Sequence, residues 1–527
     1  MSPKVRSKAK SKGPLKQKVD HFAQKIKSLD ELEKIIAKFK RSGKKVVHCH
    51  GVFDLMHPGH IHHFYAARKK GDCLVVTITK NEYVGKGPGR PVFNQRLRAE
   101  SVAAVECVDY VAINNWPTAI ETIQKLKPNY YVKGSEYADD TADLTGNIAA
   151  ERTAIESVGG KMVFTDEVKF SSSSILNTYF NVFSEETKLF LQQFRKRYSE
   201  EDVIRYLKDL QGMKVLVLGD AIIDEYHYCK ALGKSPKETI VTTKYVGAES
   251  FAGGVLACAN HVASLCGTVD LVTCLGRENS YEEFIRSHLK PNVTPHFFFR
   301  ENAPTIIKRR FVEPVFLSKM FQVSFLEDSL LPVSTDAALR AHLTKILPNY
   351  DVVLVADYGH GFLSPATIEL LGKKAKFLAV NTQTNSANIG FNLVTKYRHV
   401  DYICIDEPEI RLAMHDKVGP VEPLIDRVSK ILKTKMVMIT RGHLGSVAHK
   451  PGEPYSATPI FSSEIVDRVG AGDAFFAVTA PCAAKNYPTD LIGFIGNAVG
   501  AMAVRIVCNR SFIEMVPLTR FISTLLK

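Results

Sequence analysis

Two short stretches carry side chains whose types and spacing suit chemistry on phosphate. In the first, 44–49 reads as a basic edge and a short apolar strand, and His50-Gly51 ends it. His57-Pro58-Gly59-His60 then leads into a helical pattern, with Ile61, Phe64, Tyr65 and Ala67 as its apolar members. A helix start presents free backbone N–H groups and a partial positive charge, which suits phosphate oxygens. Two imidazoles three residues apart share a helical face. Pro58 costs nothing in a first turn, and Gly59 lets a phosphate chain approach the backbone. The second stretch is Asp467-Arg468-Val469-Gly470-Ala471-Gly472-Asp473, followed by a long apolar helical run. Gly470, Ala471 and Gly472 are small, so successive N–H groups can converge on an anion. A carboxylate beside that nest, Asp473, can take the proton of a hydroxyl attacking a γ-phosphate.

Each stretch needs a scaffold. Around the first, apolar runs at 74–78, 105–113, 130–132 and 162–164 read as strands. Helical patterns at 94–104 and 118–126 separate them, a leading helix spans 21–39, and 174–180 opens a closing helix. Strand alternating with helix implies a parallel sheet. Around the second, strands are expected at 214–218, 271–275, 352–356, 377–380, 402–405, 436–440 and 464–466. A small strand at 239–245 and antiparallel lid strands at 305–312 and 322–326 accompany them. The expected domains are a basic tail and leading helix (1–43), an α/β domain (44–182), a helical linker (183–211) and a second α/β domain (212–527).

A chain of 527 residues exceeds one domain. No apolar run reaches the ~20 residues of a membrane helix, and a signal-peptide core is missing. Ten cysteines without pairing rhythm imply reduced thiols and a cytoplasmic setting. The net charge of +14 is concentrated in residues 1–45, where fifteen Lys/Arg face four Asp/Glu. The rest is nearly neutral, so the tail reads as a solvated arm and no specific nucleic acid is expected. His48, His50, His57, His60, His62 and His63 with Cys49 offer an alternative, a zinc site. No carboxylate or CxxC element completes a tetrahedron there.

The HxGH turn resembles that of the cytidylyltransferase-like nucleotidyltransferases over roughly 44–180. Lys86-Gly87, Arg90-Pro91, Asn94-Gln95-Arg96, 132–137 (VKGSEY) and Ser171–Ser174 fall in the same order. The likeness is strongest to the sugar-phosphate branch, the adenylyltransferase half of the bifunctional heptose 7-phosphate kinase/heptose 1-phosphate adenylyltransferases. It implies a Rossmann-like fold in which His57 and His60 donate to the α-phosphate. Lys86 and Arg96 would hold the substrate phosphate and the leaving pyrophosphate. Lys133, Ser171, Ser172 and Ser173 would close on the β- and γ-phosphates, and Gly51, Phe53 and Gly59 would line the nucleotide site. The lead-in His50-Gly51-Val52-Phe53-Asp54 is also compatible with the branch that transfers phosphocholine, phosphoethanolamine or glycerol phosphate to CTP.

The DxxGAGD pattern resembles that of ribokinase-like sugar kinases over about 213–520. Gly219-Asp220, Asp224, Gly253-Gly254, Asp357-Tyr358…Gly361, Asp406…Glu409 and Thr440-Arg441-Gly442…Gly445 accompany it. The resemblance implies an α/β domain with a small β lid, through which such kinases often dimerise. It makes Asp473 the base, Gly470–Gly472 the anion hole, and Asp220, Asp224, Gly253 and Gly254 the sugar holders. Asp406 and Glu409 would be the magnesium-linked element. Three positions depart from the pattern: Ala257 and Asp406 stand where the family has Asn, and Asn381 where it has Asp. The joint implication is a sugar (heptose) phosphate kinase and sugar-1-phosphate nucleotidyltransferase. It would use Mg²⁺ with ATP or another nucleoside triphosphate, with no dedicated protein metal site, and its modules run in the reverse order. A CTP-dependent transferase with an idle kinase, or a scaffold, are the alternatives.

Overall fold

The computed structural model describes residues 22–84, 90–134, 147–165 and 183–527. The chain divides into two compact units, Met1–Val182 and Phe183–Leu526.

In the first unit the described strands are β1 (Val46–Gly51), β2 (Cys73–Ile78), β3 (Tyr110–Ile113), β4 (Tyr130–Gly134) and β5 (Lys161–Thr165). They form one sheet in the order β3-β2-β1-β4-β5, and every pairing is parallel. β2 is buried at all its positions, as a strand covered on both faces must be. The strand order reverses at β1 and β4. Sheets of this kind hold ligands beyond the carboxyl ends of the strands at that point. Three expectations need adjustment. The strand expected at 105–113 shrinks to Tyr110–Ile113, because Val105 and Val108 close turns with Val102 and Val105. The leading helix spans Leu29–Arg41, started by a Ser28/Glu31 capping box. The closing helix at 174–180 lies outside the described residues.

The second unit contains β6 (Lys214–Gly219), β7 (Ala221–Lys234), β8 (Val241–Gly254), β9 (Thr268–Glu278), β10 (Val293–Pro304), β11 (Ile306–Glu313), β12 (Ser318–Phe325), β13 (Val352–Asp357), β14 (Leu378–Thr382), β15 (Tyr402–Asp406), β16 (Met436–Thr440), β17 (Ser446–His449) and β18 (Ser456–Thr458). The main sheet runs β10-β9-β6-β13-β14-β15-β16-β17-β18. It is parallel as far as β16, and β17 and β18 are antiparallel. Strand order reverses at β6, whose end carries Gly219-Asp220. A second sheet, β12-β11-β7-β8, forms the lid. It contains the antiparallel β11–β12 pair expected from the sequence. It also contains β7 and β8, which are far longer than the single short strand expected at 239–245.

The strand expected at 464–466 is not formed. The Val466 and Asp467 N–H groups both donate to Val504 O, and Ile465 and Val466 stay half-exposed. The two helices expected as a linker exist, Glu185–Arg195 and Glu200–Asp209, each with a serine cap. They are part of the second unit: Phe194 stacks on Phe494 at 4.1 Å, and Arg195 donates to Leu525 O at 2.7 Å.

Candidate active sites

At the end of β1 the helix Pro58–Arg68 starts with His57 as its extended N-cap and Pro58 in its first turn. The His57 and His60 rings stack at 3.8 Å, 22° apart, and His57 is buried. Phe53, at φ 47°, sets its ring edge-on to His60 at 5.3 Å. A Cβ on Gly51 would lie 2.9 Å from that ring, so glycine there makes room for Phe53. Gly59 is buried in the first turn. Of the helix's expected apolar face, Phe64 and Ala67 are buried, while Ile61 and Tyr65 are exposed. The zinc alternative finds no support in the geometry. His48 and His50 both hydrogen-bond Thr77 Oγ1, at 2.8 and 2.9 Å. Burial pushes His48 down to about 3 and lowers His50 as well. No metal-holding group of His, Cys, Asp and Glu occurs among the described residues.

Lys133, at the end of β4, is paired with Glu151 at 2.8 Å and is largely buried. Lys86, Ser171, Ser172 and Ser173 lie outside the described residues. Arg96 points outward, its side chain 84% exposed and paired with Glu100. Two residues on, Arg98 is fully buried, and sequence reasoning missed it. Its guanidinium donates to Phe93 O (2.9 Å), Val52 O (2.6 Å), Thr79 O and Asn81 Oδ1 (both 2.8 Å). Asp54 accepts the N–H groups of Val92 and Phe93. Together they tie three loops around the His57 turn. Arg98→Met strands these acceptors in the interior, so a loss of about 3 kcal/mol is expected. It is read as a lower denaturant midpoint of the first unit.

In the second unit Gly470 adopts a left-handed conformation and caps the helix Ala471–Ala484. Ala471 and Gly472 sit in its first turn with Asp473, which is buried. Burial pushes the Asp473 carboxyl up to about 6, against a hydrogen bond from Tyr358. A Cβ at Gly470 would meet Asn509 Oδ1 at 2.2 Å, at φ +84°. Gly470→Ala therefore displaces the nest. A misplacement worth ~1.4 kcal/mol at the transition state lowers phosphoryl transfer about tenfold, measurable as ADP release. Asp467, which opens the motif, accepts from Tyr226 Oη (2.6 Å) and Cys508 N (3.0 Å) and pairs with Lys319 (2.6 Å). Tyr226 and Lys319 belong to lid strands β7 and β12.

Facing the nest, Asp224 on β7 is bonded by Arg310 of β11. Gly253 is placed where a Cβ would lie 2.0 Å from Asp224 Oδ2, and Gly254 follows with φ +56°. Asp220 accepts the N–H groups of Tyr358 (3.1 Å) and His360 (3.4 Å), so its carboxylate holds the 358–360 loop. Burial, then Asp357, pushes it up to about 6. Sequence reasoning missed Lys308, which stands opposite Asp224 in the β7–β11 register and is nine-tenths buried. Burial lowers its ammonium, and Asp224, Asp220 and Asp473 raise it. His360 is buried, with no hydrogen-bond partner on either ring nitrogen among the described residues. The alternation of Lys308 and Arg310 on a predicted strand was the available signal. Ala257 is completely buried within the helix Val255–Ala263.

Asp406 and Glu409 form the capping box of the helix Glu407–Met414. Thr384 N donates to Glu409 Oε1 at 3.0 Å. Burial and Asp406 raise the Glu409 carboxyl. Nearby Asn381 Oδ1 and Thr384 Oγ1 are buried without a hydrogen-bond partner among the described residues. These oxygens fit the water shell of Mg²⁺, which keeps several waters in nucleotide sites.

Comparison with known proteins matches both halves. Residues 48–178 match the family described as cytidylyltransferase-like. The bifunctional protein HldE of Gluconobacter oxydans (strain 621H) is 37% identical over 150 residues, 28% of this chain and 30% of that one. HldE of Aliarcobacter butzleri (strain RM4018) is 40% identical over 139 residues, 26% of this chain and 29% of that one. The chain thus spans about 30% of the length of these curated relatives, in the cytidylyltransferase-like stretch. Among solved structures, phosphofructokinase-2 from Escherichia coli with substrates and products aligns at TM-score 0.49 and 14% identity, over 60% of this chain and 100% of that one. Ribokinase from Thermotoga maritima aligns at 0.46 and 19%, over 59% and 99%. Residues 213–507 match the pfkB family carbohydrate kinases, more than half of the chain, and the protein belongs to that family.

Proposed function

We propose that the chain is a bifunctional enzyme that phosphorylates a sugar phosphate, with heptose as the expected sugar, and couples a sugar 1-phosphate to a nucleoside triphosphate. One observation carries the reading. A single polypeptide holds a stacked imidazole pair at the switch point of one parallel sheet and a buried carboxylate in a glycine-capped helix start beside another.

In the kinase half the acceptor hydroxyl gives its proton to Asp473 as its oxygen bonds to the γ-phosphorus, and ADP leaves. The Gly470–Gly472 backbone receives the charge of the transferring group. Asp224 orients the sugar. Lys308 and His360 are two buried nitrogen groups suited to an anionic substituent on that sugar. Mg²⁺ supplies charge neutralisation when bound with the nucleotide, and Glu409, Asp406, Asn381 and Thr384 would hold its water shell.

In the transferase half the nucleophile is already an anion, so no base is required. An oxygen of the sugar 1-phosphate attacks the α-phosphorus and pyrophosphate leaves. His57 and His60 donate to the five-coordinate centre, and Lys133 meets the departing phosphates. Similarity to proteins called bifunctional protein HldE supports the pairing of activities. We place the enzyme in the reducing cytoplasm. All ten cysteines are unpaired, and no described helix is long and apolar enough to cross a membrane. We also infer a homodimer through the lid, whose outer strands leave Tyr245, Phe321 and Val323 exposed.

The test uses the full chain. Heptose 7-phosphate with ATP should release ADP. Heptose 1-phosphate with one of the four triphosphates should release pyrophosphate. Failure of both across a sugar-phosphate panel would overturn the assignment. Turnover only with CTP and an alcohol phosphate would reassign the first half.

A further inference from the structure

We propose that Tyr358 is a positioning residue that aims the Asp473 carboxylate, holding one oxygen so that the other receives the proton of the acceptor hydroxyl. This rests on the reading of Asp473 as the base.

Tyr358 is itself fixed on every side. Its N–H donates to Asp220 Oδ2 at 3.1 Å. Its carbonyl accepts from the side-chain amides of Asn385 (2.9 Å) and Asn388 (2.8 Å). The ring is 2% exposed, with the Lys308 ammonium 5.8 Å from its centroid. Held this way, the phenol donates to Asp473 Oδ1 at 2.8 Å. Gln383 Nε2 approaches the same oxygen at 3.5 Å. Asp473 Oδ2 accepts no hydrogen bond among the described residues. The carboxylate is therefore oriented by a third group, as bases in nucleophile–base–orienter arrangements are.

The step balances without another reactant. The acceptor O–H bond breaks, its proton moves to Asp473, the new O–P bond forms, and the bond from the γ-phosphorus to the ADP oxygen breaks. A hydrogen bond to the anionic base favours that form. Asp473 is faced by Tyr358 and Gln383 at Oδ1, by Asp224 and Lys308 from the lid strands, and by the Cys258 thiol at its backbone carbonyl. Tyr358 and Lys308 favour the carboxylate, whereas burial and Asp224 oppose it.

The experiment measures ADP release against pH for the full chain, with ATP and the best acceptor of the panel. Tyr358→Phe should lower kcat about tenfold and leave both KM values within about twofold. It should also move the acid limb of kcat/KM up by about one pH unit. Genetically encoded 3,5-difluorotyrosine at 358, a stronger donor of nearly the same size, should move the limb down. It keeps the test alive if the Phe variant misfolds. Asp473→Asn serves as the reference. If it is inactive while neither Tyr358 variant shifts the limb, the positioning role is overturned alone. If it retains the parent's rate, the reading of the base falls first.

Discussion

Asp473→Asn is expected to lower the kinase rate by about 10²–10⁴ while pyrophosphate release by the other half stays at the parent level. The isosteric amide keeps the bond from Tyr358 within reach but cannot accept a proton. The effect should therefore appear in kcat, with ATP binding retained. The parent should also show an acid limb near pH 6, because burial pushes the Asp473 carboxyl up to about 6. Below that pH the base is protonated and turnover falls; above it the carboxylate is available. A rate within threefold of the parent would remove Asp473 from the chemistry.

The second large effect lies in the other unit. His57→Ala and His60→Ala should each cost about 10²–10³ in pyrophosphate release, with ADP release by the kinase unchanged. The rings stack at 3.8 Å, so they address one charge centre and act together. The double variant should then lose little more than either single one, as residues acting as a unit do. Independent, multiplying losses would show that the two rings serve different steps.

The geometry of both turns was legible because each is local. HPGH and GAGD pack a turn, a helix start and a buried polar side chain into a few consecutive residues. The alternation of strand and helix was legible too, because β2, β6 and β13 are built on short apolar runs (Leu74–Val76, Val215–Leu218 and Val352–Ala356). What escaped was long-range. Tyr358 lies 115 residues from Asp473 in sequence, and nothing near it announces the pairing. Arg96 and Arg98 look equivalent on paper. Yet the helix Gln95–Ala103 buries Arg98 with Ala99 and Val102 and leaves Leu97 exposed, the reverse of what hydropathy suggests. The false strand at 464–466 shows a related limit. β-branched residues favour strands only where a neighbour supplies a ladder, and here Val504 supplies a single carbonyl. Asp406 and Glu409 stand three residues apart at a helix start, a spacing that also reads as a capping box, and the structure pairs them in that way.

The helices Glu185–Arg195 and Glu200–Asp209 bear on how the protein can be divided. The kinase family match begins at residue 213, which invites an expression fragment starting there. Such a fragment would uncover Phe461, against which Phe190 packs at a tilt, and Phe494, on which Phe194 is stacked. It would also leave Leu525 O without Arg195 and Asp490 without Tyr198. Starting instead at Phe183 keeps this aromatic seam closed. The two cut sites differ by thirty residues and should separate a soluble fragment from an aggregating one.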